Sequence, residues 1–536
     1  MCMIMKLSEK LSNSKAAKFV PLVLLAVFEL WYFVFLNQNI DSLINADDAS
    51  ELLLGRILAQ EHAILSQSWY YSTEIRFLNT NLIYGPLFLF LKNWHTIRIV
   101  SLVILHVLLL ASFYYFMQRM GRKDLFPAAA LAVMVPLTRT YCWVVVRIPY
   151  YVPYLIISCL TLGFLFVYQR SAGKKKTAVL IGSAVLALLA CAGGARQAIA
   201  LYVPLLFTAL FFLGQSLKDP EADQRERVND LLKFAGILFI SACIGFLINS
   251  AVMSRLYSFR SWTFGFTFFS TDRFKEVVDG VLSSFGYHDG PVTMKRTLMN
   301  AAAMILFLST ILSLWYALGS KKKSSEQYRF LAVFYVSAFV VFALLYSMTS
   351  MYYQYRYNIP FFIFSFPLIC FWISESDWFA KVRPLLTAGF VMVMCLGAVL
   401  TYNEERIAVI MDDTNEQLSE ISSKLLSENY TEGYSVYSYA NILTELSDGA
   451  IDVWFWNDPY LAETEHLDEI YEWLQPKRHK TTPPQGKVFL LLSEENLESC
   501  LWKEQLSDDR LLMRTDELLV YGFGSHEEIV RILEGH

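Results

Sequence analysis

Apolar runs about as long as a membrane is thick recur between residues 19 and 401, and they constrain the fold more than any other feature of the sequence. A helix needs about 20 consecutive apolar residues to cross a bilayer. Only helices and closed barrels satisfy their backbone hydrogen bonds in lipid. Eleven runs approach this length, at 19–38, 97–117, 125–140, 152–168, 177–193, 199–214, 232–252, 297–318, 330–347, 359–375 and 384–401. The sequence therefore predicts a mainly α, polytopic membrane helix bundle with about eleven transmembrane helices.

The charges beside these runs predict how the chain is oriented. Lysines between residues 6 and 18 flank the first run, and no small-residue cleavage motif precedes the polar stretch after it, so we expect a retained helix with a cytoplasmic N-terminus. Threading from this start places 21 Lys and Arg on the inner side, including the Lys clusters at 173–176 and 321–323, and 14 on the outer side. This bias agrees with the positive-inside rule. The sequence predicts a multi-pass protein of the cell membrane.

The outer segments are rich in arginine. They hold 11 Arg and 3 Lys, whereas the inner segments hold 7 Arg and 14 Lys. Arginine is the better ligand for phosphate, because its planar fork forms two parallel hydrogen bonds. Any single outer Arg is expected to snorkel to lipid headgroups. As a set, they predict an anionic ligand on the outer face.

The composition changes at residue 402. Residues 402–536 carry 28 acidic and 10 basic side chains, a net charge of −18, whereas residues 1–401 carry a net charge of +14. Strand-like runs at 434–439, 451–456, 487–493 and 517–523 alternate with helix-like runs such as 464–474 and 526–535. This alternation is typical of a small α/β domain. We therefore predict a transmembrane domain over 1–401 and a soluble α/β domain over 402–536, which an odd number of spans places outside the cytoplasm.

The segment 39–96 between the first two runs is far longer than a connector needs. Five apolar residues share one helical stripe, which predicts an amphipathic helix on the membrane surface: Leu53, Leu54, Ile57, Leu58 and Ile64. The short run 81–91 predicts a second interfacial element. Asp47 and Asp48 open the first of these helices. Ionisable groups beside a bilayer are costly unless they face water, a partner or a substrate, so this pair is the first candidate for a functional site.

Several classes of function are not indicated. With 55% hydrophobic and 18% charged residues, the chain is too apolar for a soluble globular protein of this size. The sequence has no Gly-rich phosphate loop, CxxC pair or HExxH motif, which argues against ATP, dithiol and zincin chemistry. It shows no internal repeat or matched pair of broken helices with intramembrane charges, as secondary transporters often do.

The order of the polar features resembles that of the GT-C superfamily of membrane glycosyltransferases, in particular the protein O-mannosyltransferases and the lipid A aminoarabinose transferases. After the first span come a carboxylate pair, a second helix with proline (YGPLFLFL) and an Arg at the start of the next span (HTIRIVSLVI). Late in the chain, YQYRYNIPFFIF resembles the Arg-Tyr-x-x-Pro element of many bacterial members. The carboxylate pair departs from the usual Asp-Glu, since here it is Asp-Asp followed by Ala49 and Ser50.

The resemblance implies a GT-C-like catalytic domain over 1–401 that moves a sugar from a polyprenyl-phosphate carrier to an acceptor hydroxyl, with inversion at the anomeric carbon. Asp47 and Asp48 are the implied catalytic residues, one of which accepts the proton of the attacking hydroxyl. Cationic and phenolic groups would stabilise the leaving phosphate. The candidates for this role are Arg356, Tyr357, Arg196, Arg98, Arg147 and Arg139.

The individual candidates differ in how specific they are. Asp48 stands three residues before Glu51, a spacing that resembles a capping box, so we expect Asp48 to cap the helix and Asp47 to be the base. For Arg98 and Arg139, snorkelling from a helix end is an equally good interpretation. Arg196 follows two glycines, which fits either a close approach to a ligand or a simple turn.

The expected partners are the lipid bilayer, a polyprenyl-phosphate sugar and an acceptor that is a cell-envelope glycan, a teichoic acid or a protein; no nucleic acid is expected. A divalent metal such as Mg²⁺ or Mn²⁺ is compatible with the carboxylate pair, although the sequence does not require one. The alternative is a non-enzymatic envelope-polysaccharide flippase or scaffold with a polymer-binding outer domain. A flippase needs a polar path across the bilayer, and the runs contain few charges to line one.

Overall fold

The computed structural model describes residues 15–217, 222–260, 265–291, 293–319, 324–456, 470–500 and 503–533. Within these ranges, nine helices are long and apolar enough to cross a membrane, or up to eleven spans if each of two bent helix pairs counts as one. The nine are Phe19–Asn39, Trp94–Arg119, Val152–Gln169, Gly173–Ala192, Ala198–Ser216, Arg225–Leu256, Met294–Gly319, Glu326–Ser347 and Arg383–Met411. The predicted helix bundle and its span count are confirmed. The Lys cluster at 321–323 lies outside the described residues.

The two bent pairs fall on the predicted runs 125–140 and 359–375. Phe126–Met134 and Arg139–Arg147 meet at 93°, and Tyr355–Phe362 and Ser365–Glu375 meet at 42°. In the first pair, Pro136 lies at the bend, where proline cannot donate a helical hydrogen bond. Thr138 then restarts the helix, because its hydroxyl accepts a hydrogen bond from the Tyr141 N–H at 3.0 Å.

The chain folds into two compact units. The helical unit comprises residues 1–34, 102–251 and 262–406, and the α/β unit comprises 35–101, 252–261 and 407–536. The segment 35–101, which contains the carboxylate pair, therefore belongs to the same unit as the C-terminal residues.

The α/β unit is built on a five-stranded mixed sheet. Its strands are β1 Glu432–Val436, β2 Asp452–Trp456, β3 Val488–Ser493, β4 Leu511–Arg514 and β5 Leu518–Phe523. Their order is β2-β1-β3-β5-β4, with β1 parallel to both β2 and β3, and β5 antiparallel to both β3 and β4. Helices Thr414–Ser427, Tyr437–Leu446 and His526–Leu533 accompany the sheet. The predicted α/β character of this region is confirmed.

Two of the predicted elements differ from the structure. The run 434–439 is a strand only as far as Val436, because the pairing of β1 with β2 ends there, and from Tyr437 the chain is helical. In that helix every residue from Ala440 to Glu445 is buried, whereas a half-buried strand would alternate buried and exposed positions. Of the helix-like run 464–474, residues 464–469 lie outside the described residues and 470–474 are not helical.

The segment 39–96 forms the two predicted helices, Ala46–Glu61 and Asn81–Phe88. They pack against each other where Gly55 meets Tyr84, since a Cβ atom built on Gly55 would lie 2.6 Å from the Tyr84 Cβ. Leu52, Leu53, Leu54 and Leu58 of the first helix are buried within the unit. Leu53, Leu54 and Leu58 of the predicted stripe are therefore covered by protein, whereas Ile57 is half-buried and Ile64, beyond the end of the helix, is exposed. A location at the membrane surface stays a prediction.

Candidate functional site

The predicted site residues fall into both units. Arg139, Arg147, Arg196, Arg356 and Tyr357 belong to the helical unit, and Asp47, Asp48 and Arg98 belong to the α/β unit. Each group has its own contacts.

Three of the predicted residues come together in the helical unit. The guanidinium carbons of Arg196 and Arg356 lie 5.2 Å and 5.9 Å from the centre of the Tyr357 ring. Arg196 donates a hydrogen bond to the Tyr151 hydroxyl at 2.8 Å, and Arg356 donates one to the Tyr150 hydroxyl at 3.1 Å. We call these five residues the arginine–tyrosine cluster. In this cluster two arginines that are 160 positions apart in the sequence contact the same tyrosine ring.

Local sequence explains how the two arginines reach this place. Gly194, two residues before Arg196, has φ +138°, which residues with a side chain rarely adopt. The glycine pair therefore forms a turn at which one helix ends and the next begins. Arg356 lies in the single 3₁₀ turn Tyr355–Asn358, and Pro360 stands in the first turn of the helix that follows, where it has no backbone donor to lose.

Arg356 also lines a cavity of about 380 Å³ in the helical unit. Its guanidinium carbon lies 5.1 Å from the centre of the Trp143 ring, which forms part of the same wall. The exposed carboxylates of Glu276 and Asp279, on the helix Thr271–Ser284, contribute to the lining together with the aromatic ring of Tyr355. The cavity thus combines a cation, two carboxylates and flat aromatic surfaces.

Arg139 and Arg147 have a different partner. Arg147 donates to Glu405 Oε2 at 2.8 Å, and Arg139 donates to Glu405 Oε1 at 3.1 Å. Glu405 is 1% exposed, and the Arg147 side chain is also buried. A buried carboxylate is strongly destabilised without a cationic partner. These contacts give both arginines a structural function at Glu405.

In the α/β unit, Asp47 and Asp48 lie in the first turn of helix Ala46–Glu61. The expectation that Asp48 is the N-cap, paired with Glu51, is wrong: the N-cap is Asn45, and Asp48 occupies the third helical position of the capping box. Asn45 Oδ1 accepts from the Asp48 N–H at 3.1 Å, and Asp48 Oδ2 accepts from the Asn45 N–H at 3.3 Å. Glu51 instead forms an ion pair with Arg76 at 3.1 Å. The sequence places the box three residues too late, because Asn45 and Asp48 both suit an N-cap.

The two carboxylates therefore have opposite surroundings. Asp48 is buried in the capping box, whereas Asp47 is exposed. The Tyr437 hydroxyl donates a hydrogen bond to Asp47 Oδ1 at 2.5 Å. Burial raises the pKa of Tyr437, and the neighbouring Asp47 carboxylate raises it further, so the phenol is protonated at neutral pH. Asp47 is thus an accessible carboxylate held by a phenol donor.

Arg98 is buried beside the same helix. Its Nε and Nη2 atoms donate to the two Glu445 carboxylate oxygens at 2.7 Å and 2.5 Å, and Nη2 also donates to the Asp48 carbonyl at 3.1 Å. Burial raises the pKa of the Glu445 carboxyl, whereas the Arg98 guanidinium opposes this rise. The pair forms the two parallel hydrogen bonds typical of Arg and carboxylate.

Several residues that contact the candidates were not predicted. Tyr150 and Tyr151 follow Arg147 by three and four residues in the sequence RIPYYVPY, and an aromatic doublet in a predicted outer segment is a signal that sequence reasoning could have used. Tyr437 and Glu445 carry no such signal, because nothing in a solvated α/β sequence marks a residue that binds a helix 390 positions away. Among the described residues, no group of three or more His, Cys, Asp or Glu could hold a metal ion.

Comparisons of sequence find no match: neither a family model nor a curated protein resembles the chain. Comparison with solved structures does find similar proteins. ArnT from Cupriavidus metallidurans in the apo state matches at 11% identity and a TM-score of 0.57, over 95% of this chain and 98% of that chain. The same protein bound to undecaprenyl phosphate matches at 11% identity and 0.56, over 94% and 98%.

An archaeal enzyme is less similar. The oligosaccharyltransferase of Archaeoglobus fulgidus, in complex with Zn and sulfate, matches at 12% identity over 84% of this chain and 64% of that chain, with a TM-score of 0.43.

ArnT is an aminoarabinose transferase of the GT-C type and matches nearly end to end. The chain therefore has the fold of the GT-C membrane glycosyltransferases.

Proposed function

We propose that the protein is a membrane glycosyltransferase that moves a sugar from a polyprenyl-phosphate carrier to an acceptor hydroxyl. The observation that carries this proposal is the arginine–tyrosine cluster, which supplies two phosphate-binding side chains in one place. The fold supports it, because one structure of ArnT, whose fold the chain shares, is bound to undecaprenyl phosphate. The acceptor is a cell-envelope glycan, a teichoic acid or a protein.

Arg356 and Arg196 are the proposed ligands of the carrier phosphate, and Tyr357 places them. When the sugar leaves, the phosphate gains negative charge, so fixed cations stabilise the transition state more than the ground state. The tyrosine hydroxyls and rings that contact both guanidinium groups restrict their orientation before a ligand arrives. Arg98, Arg139 and Arg147 are left out of this role, because their guanidinium groups bind the buried Glu445 and Glu405.

The cavity beside Arg356 suits the sugar of such a donor. Carboxylates such as Glu276 and Asp279 accept hydrogen bonds from hydroxyl groups. The aromatic surfaces of Trp143 and Tyr355 offer flat apolar contacts for the C–H face of a sugar ring. Since Arg356 lines this cavity, one ligand with a phosphate and a sugar satisfies both kinds of group.

Asp47 is the proposed general base. The acceptor hydroxyl gives its proton to the Asp47 carboxylate as its oxygen forms a bond with the anomeric carbon. The bond from that carbon to the phosphate oxygen breaks, and its electron pair stays on the carrier phosphate. A single displacement of this kind inverts the anomeric configuration, and general-base assistance typically contributes ~10² to 10⁴ in rate. Asp47, unlike Asp48, is exposed and can be reached by an acceptor.

The test is a transfer assay with the purified full-length protein in nanodiscs and a panel of undecaprenyl-phosphate pentoses and hexoses. We expect one donor to release free undecaprenyl phosphate, with Asp47→Asn as the inactive control. The flippase alternative makes the opposite prediction, because a flippase moves the intact donor between leaflets without cleaving it. Transbilayer movement in proteoliposomes with no release from any donor would establish that alternative.

A further inference from the structure

One face of the helix Tyr437–Leu446 carries three polar residues at helical spacing. Tyr437, Asn441 and Glu445 are four residues apart, which places them on the same side of the helix. The Tyr437 hydroxyl donates to Asp47 at 2.5 Å, Asn441 Nδ2 donates to the Ser50 hydroxyl at 2.7 Å, and Glu445 binds Arg98. The whole face is therefore directed at the helix Ala46–Glu61 and at the Arg98 side chain that contacts it.

We infer that this helix of the C-terminal α/β domain positions the catalytic base, and that Tyr437 is the residue that orients the Asp47 carboxylate. The inference rests on the proposed function, in which Asp47 takes the proton of the acceptor. It gives the C-terminal domain a direct part in the reaction, because the domain supplies the hydrogen bond that fixes the base.

Tyr437 has the properties that a positioning residue needs. Its ring packs against Phe455 and Tyr471, with ring centres 5.5 Å and 6.2 Å away, so the hydroxyl has a defined direction. The phenol donates a hydrogen bond to the Asp47 carboxylate and so restricts its rotation. The hydrogen bond engages Oδ1, so Oδ2 is the oxygen that takes the proton.

The helix itself is fixed at its other end. Glu445 and Arg98 form a buried ion pair with two hydrogen bonds, and Arg98 also holds the Asp48 carbonyl. One turn further, the Trp94 N–H donates to Asp448 at 2.7 Å, and Arg56 donates to the Gly449 carbonyl at 2.9 Å. Because contacts at both ends of the helix Tyr437–Leu446 hold it against its neighbour, the Tyr437 hydroxyl stays close to Asp47 in the first turn of the helix Ala46–Glu61. Precise placement matters, because small displacements of a catalytic group cost large factors in rate.

The experiment removes only the hydroxyl, with Tyr437→Phe, and uses the undecaprenyl-phosphate sugar that the wild-type protein turns over. We expect kcat to fall about ten-fold, because the carboxylate loses its fixed orientation. The KM for the donor should stay within about two-fold, since Tyr437 does not contribute to ground-state binding of the phosphate. The melting temperature should stay that of the wild type.

Tyr439→Phe is the matched control, because it removes a hydroxyl from the same helix at a position outside the polar face; it should leave kcat and KM unchanged. If Asp47→Asn is inactive while Tyr437→Phe has wild-type kcat, the positioning inference is wrong and the proposed base stands. If Tyr437→Phe loses activity only in step with its melting temperature, the residue is merely structural and the inference is also wrong. Wild-type turnover by Asp47→Asn would instead refute the proposed role of Asp47.

Discussion

At the scale of single residues, adjacency in sequence does not give adjacent carboxylates the same function. Asp48 accepts the Asn45 N–H and is buried, so its charge is used to complete a helix N-terminus. Asp47 is one residue earlier, is exposed, and meets the Tyr437 phenol. A helix turns by about 100° per residue, and that rotation is enough to separate a structural carboxylate from an accessible one.

The first prediction compares the two single substitutions. Asp47→Asn should lower the rate of sugar transfer by ~10² to 10⁴, because the amide cannot accept the proton. Asp48→Asn should retain most activity, since its amide oxygen can still accept the Asn45 N–H, with a loss of about 0.5–1 kcal/mol in unfolding free energy from the missing charge at the helix N-terminus. Transfer rates and melting temperatures of both variants check this. Equal loss of activity in the two variants would contradict the division of roles.

The second prediction concerns the arginine–tyrosine cluster. Arg356→Lys and Arg196→Lys keep the positive charge but lose the fork, so each should weaken binding of undecaprenyl phosphate and slow transfer by about 10- to 100-fold. Arg227→Lys is the control, because Arg227 is exposed and forms a surface ion pair with Glu326, a type of pair that contributes little. Titration of nanodisc-bound protein with undecaprenyl phosphate gives the affinities. Wild-type affinity in both cluster variants would remove the cluster from the proposed site.

At the scale of elements, the helix that carries Asp47 is held by a close contact with its neighbour. Gly55 faces Tyr84, and any side chain at Gly55 would meet the rigid Cβ of that buried tyrosine. Glu51 adds a polar tie, because it accepts from Thr80 at 2.7 Å and pairs with Arg76. The position of Asp47 thus depends on helix packing as well as on the capping box.

The third prediction uses this contact. Gly55→Ala should lower the unfolding free energy by about 1–3 kcal/mol, because the added Cβ forces the two helices apart. Gly85→Ala is the matched control on the facing helix, where the nearest atom to a new Cβ is 3.8 Å away. It should be neutral or stabilising by up to about 1 kcal/mol, as expected for alanine in a helix. Thermal unfolding of both variants in detergent distinguishes them, and an equally stable Gly55→Ala would show that the helices can separate without cost.

The elements themselves could be predicted from the sequence, because lipid and sheet each impose a pattern on the residues. Runs such as 152–168 match the structure nearly to the residue, since a span must be apolar along its whole length. The run predicted for strand β1 ends at residue 439, three residues beyond Val436, because YSVYSY alternates past the point where β2 stops pairing with it. Local alternation does not encode where a partner strand ends.

The contacts between distant elements could not be predicted. The Arg-Tyr-x-x-Pro motif identifies Arg356 and the Gly-Gly turn identifies Arg196, but no sequence feature predicts that both contact the ring of Tyr357. Likewise the sequence is equally compatible with Arg98 as a phosphate ligand and as a snorkelling side chain, whereas in the structure Arg98 forms an ion pair with Glu445. Periodicity tells which face of a helix is polar, whereas the identity of the facing residue depends on the packing of segments hundreds of positions apart.

At the scale of the whole molecule, charge predicts which side of the membrane each segment occupies. The Lys cluster at 173–176 follows the fourth predicted span, 152–168. Such clusters stay in the cytoplasm, because positively charged segments resist transfer across the membrane. The segment at 271–284 and the acidic C-terminal residues are then predicted to lie outside the cytoplasm. The Lys cluster near 322 provides a second inner marker.

The fourth prediction tests this orientation by cysteine labelling in right-side-out membrane vesicles, with a maleimide that does not cross membranes. Single cysteines replace Lys174, Lys275 and Glu498, all of which are exposed. Because Cys243 is exposed in the native chain, labelling of the unsubstituted protein is subtracted as background. Positions 275 and 498 should react in intact vesicles, and position 174 only after permeabilisation, since the lysines fix it in the cytoplasm. Reaction at 498 only after permeabilisation would place the α/β domain, and with it Tyr437, on the cytoplasmic side. Transfer at the outer face would then be impossible for a base that this domain positions.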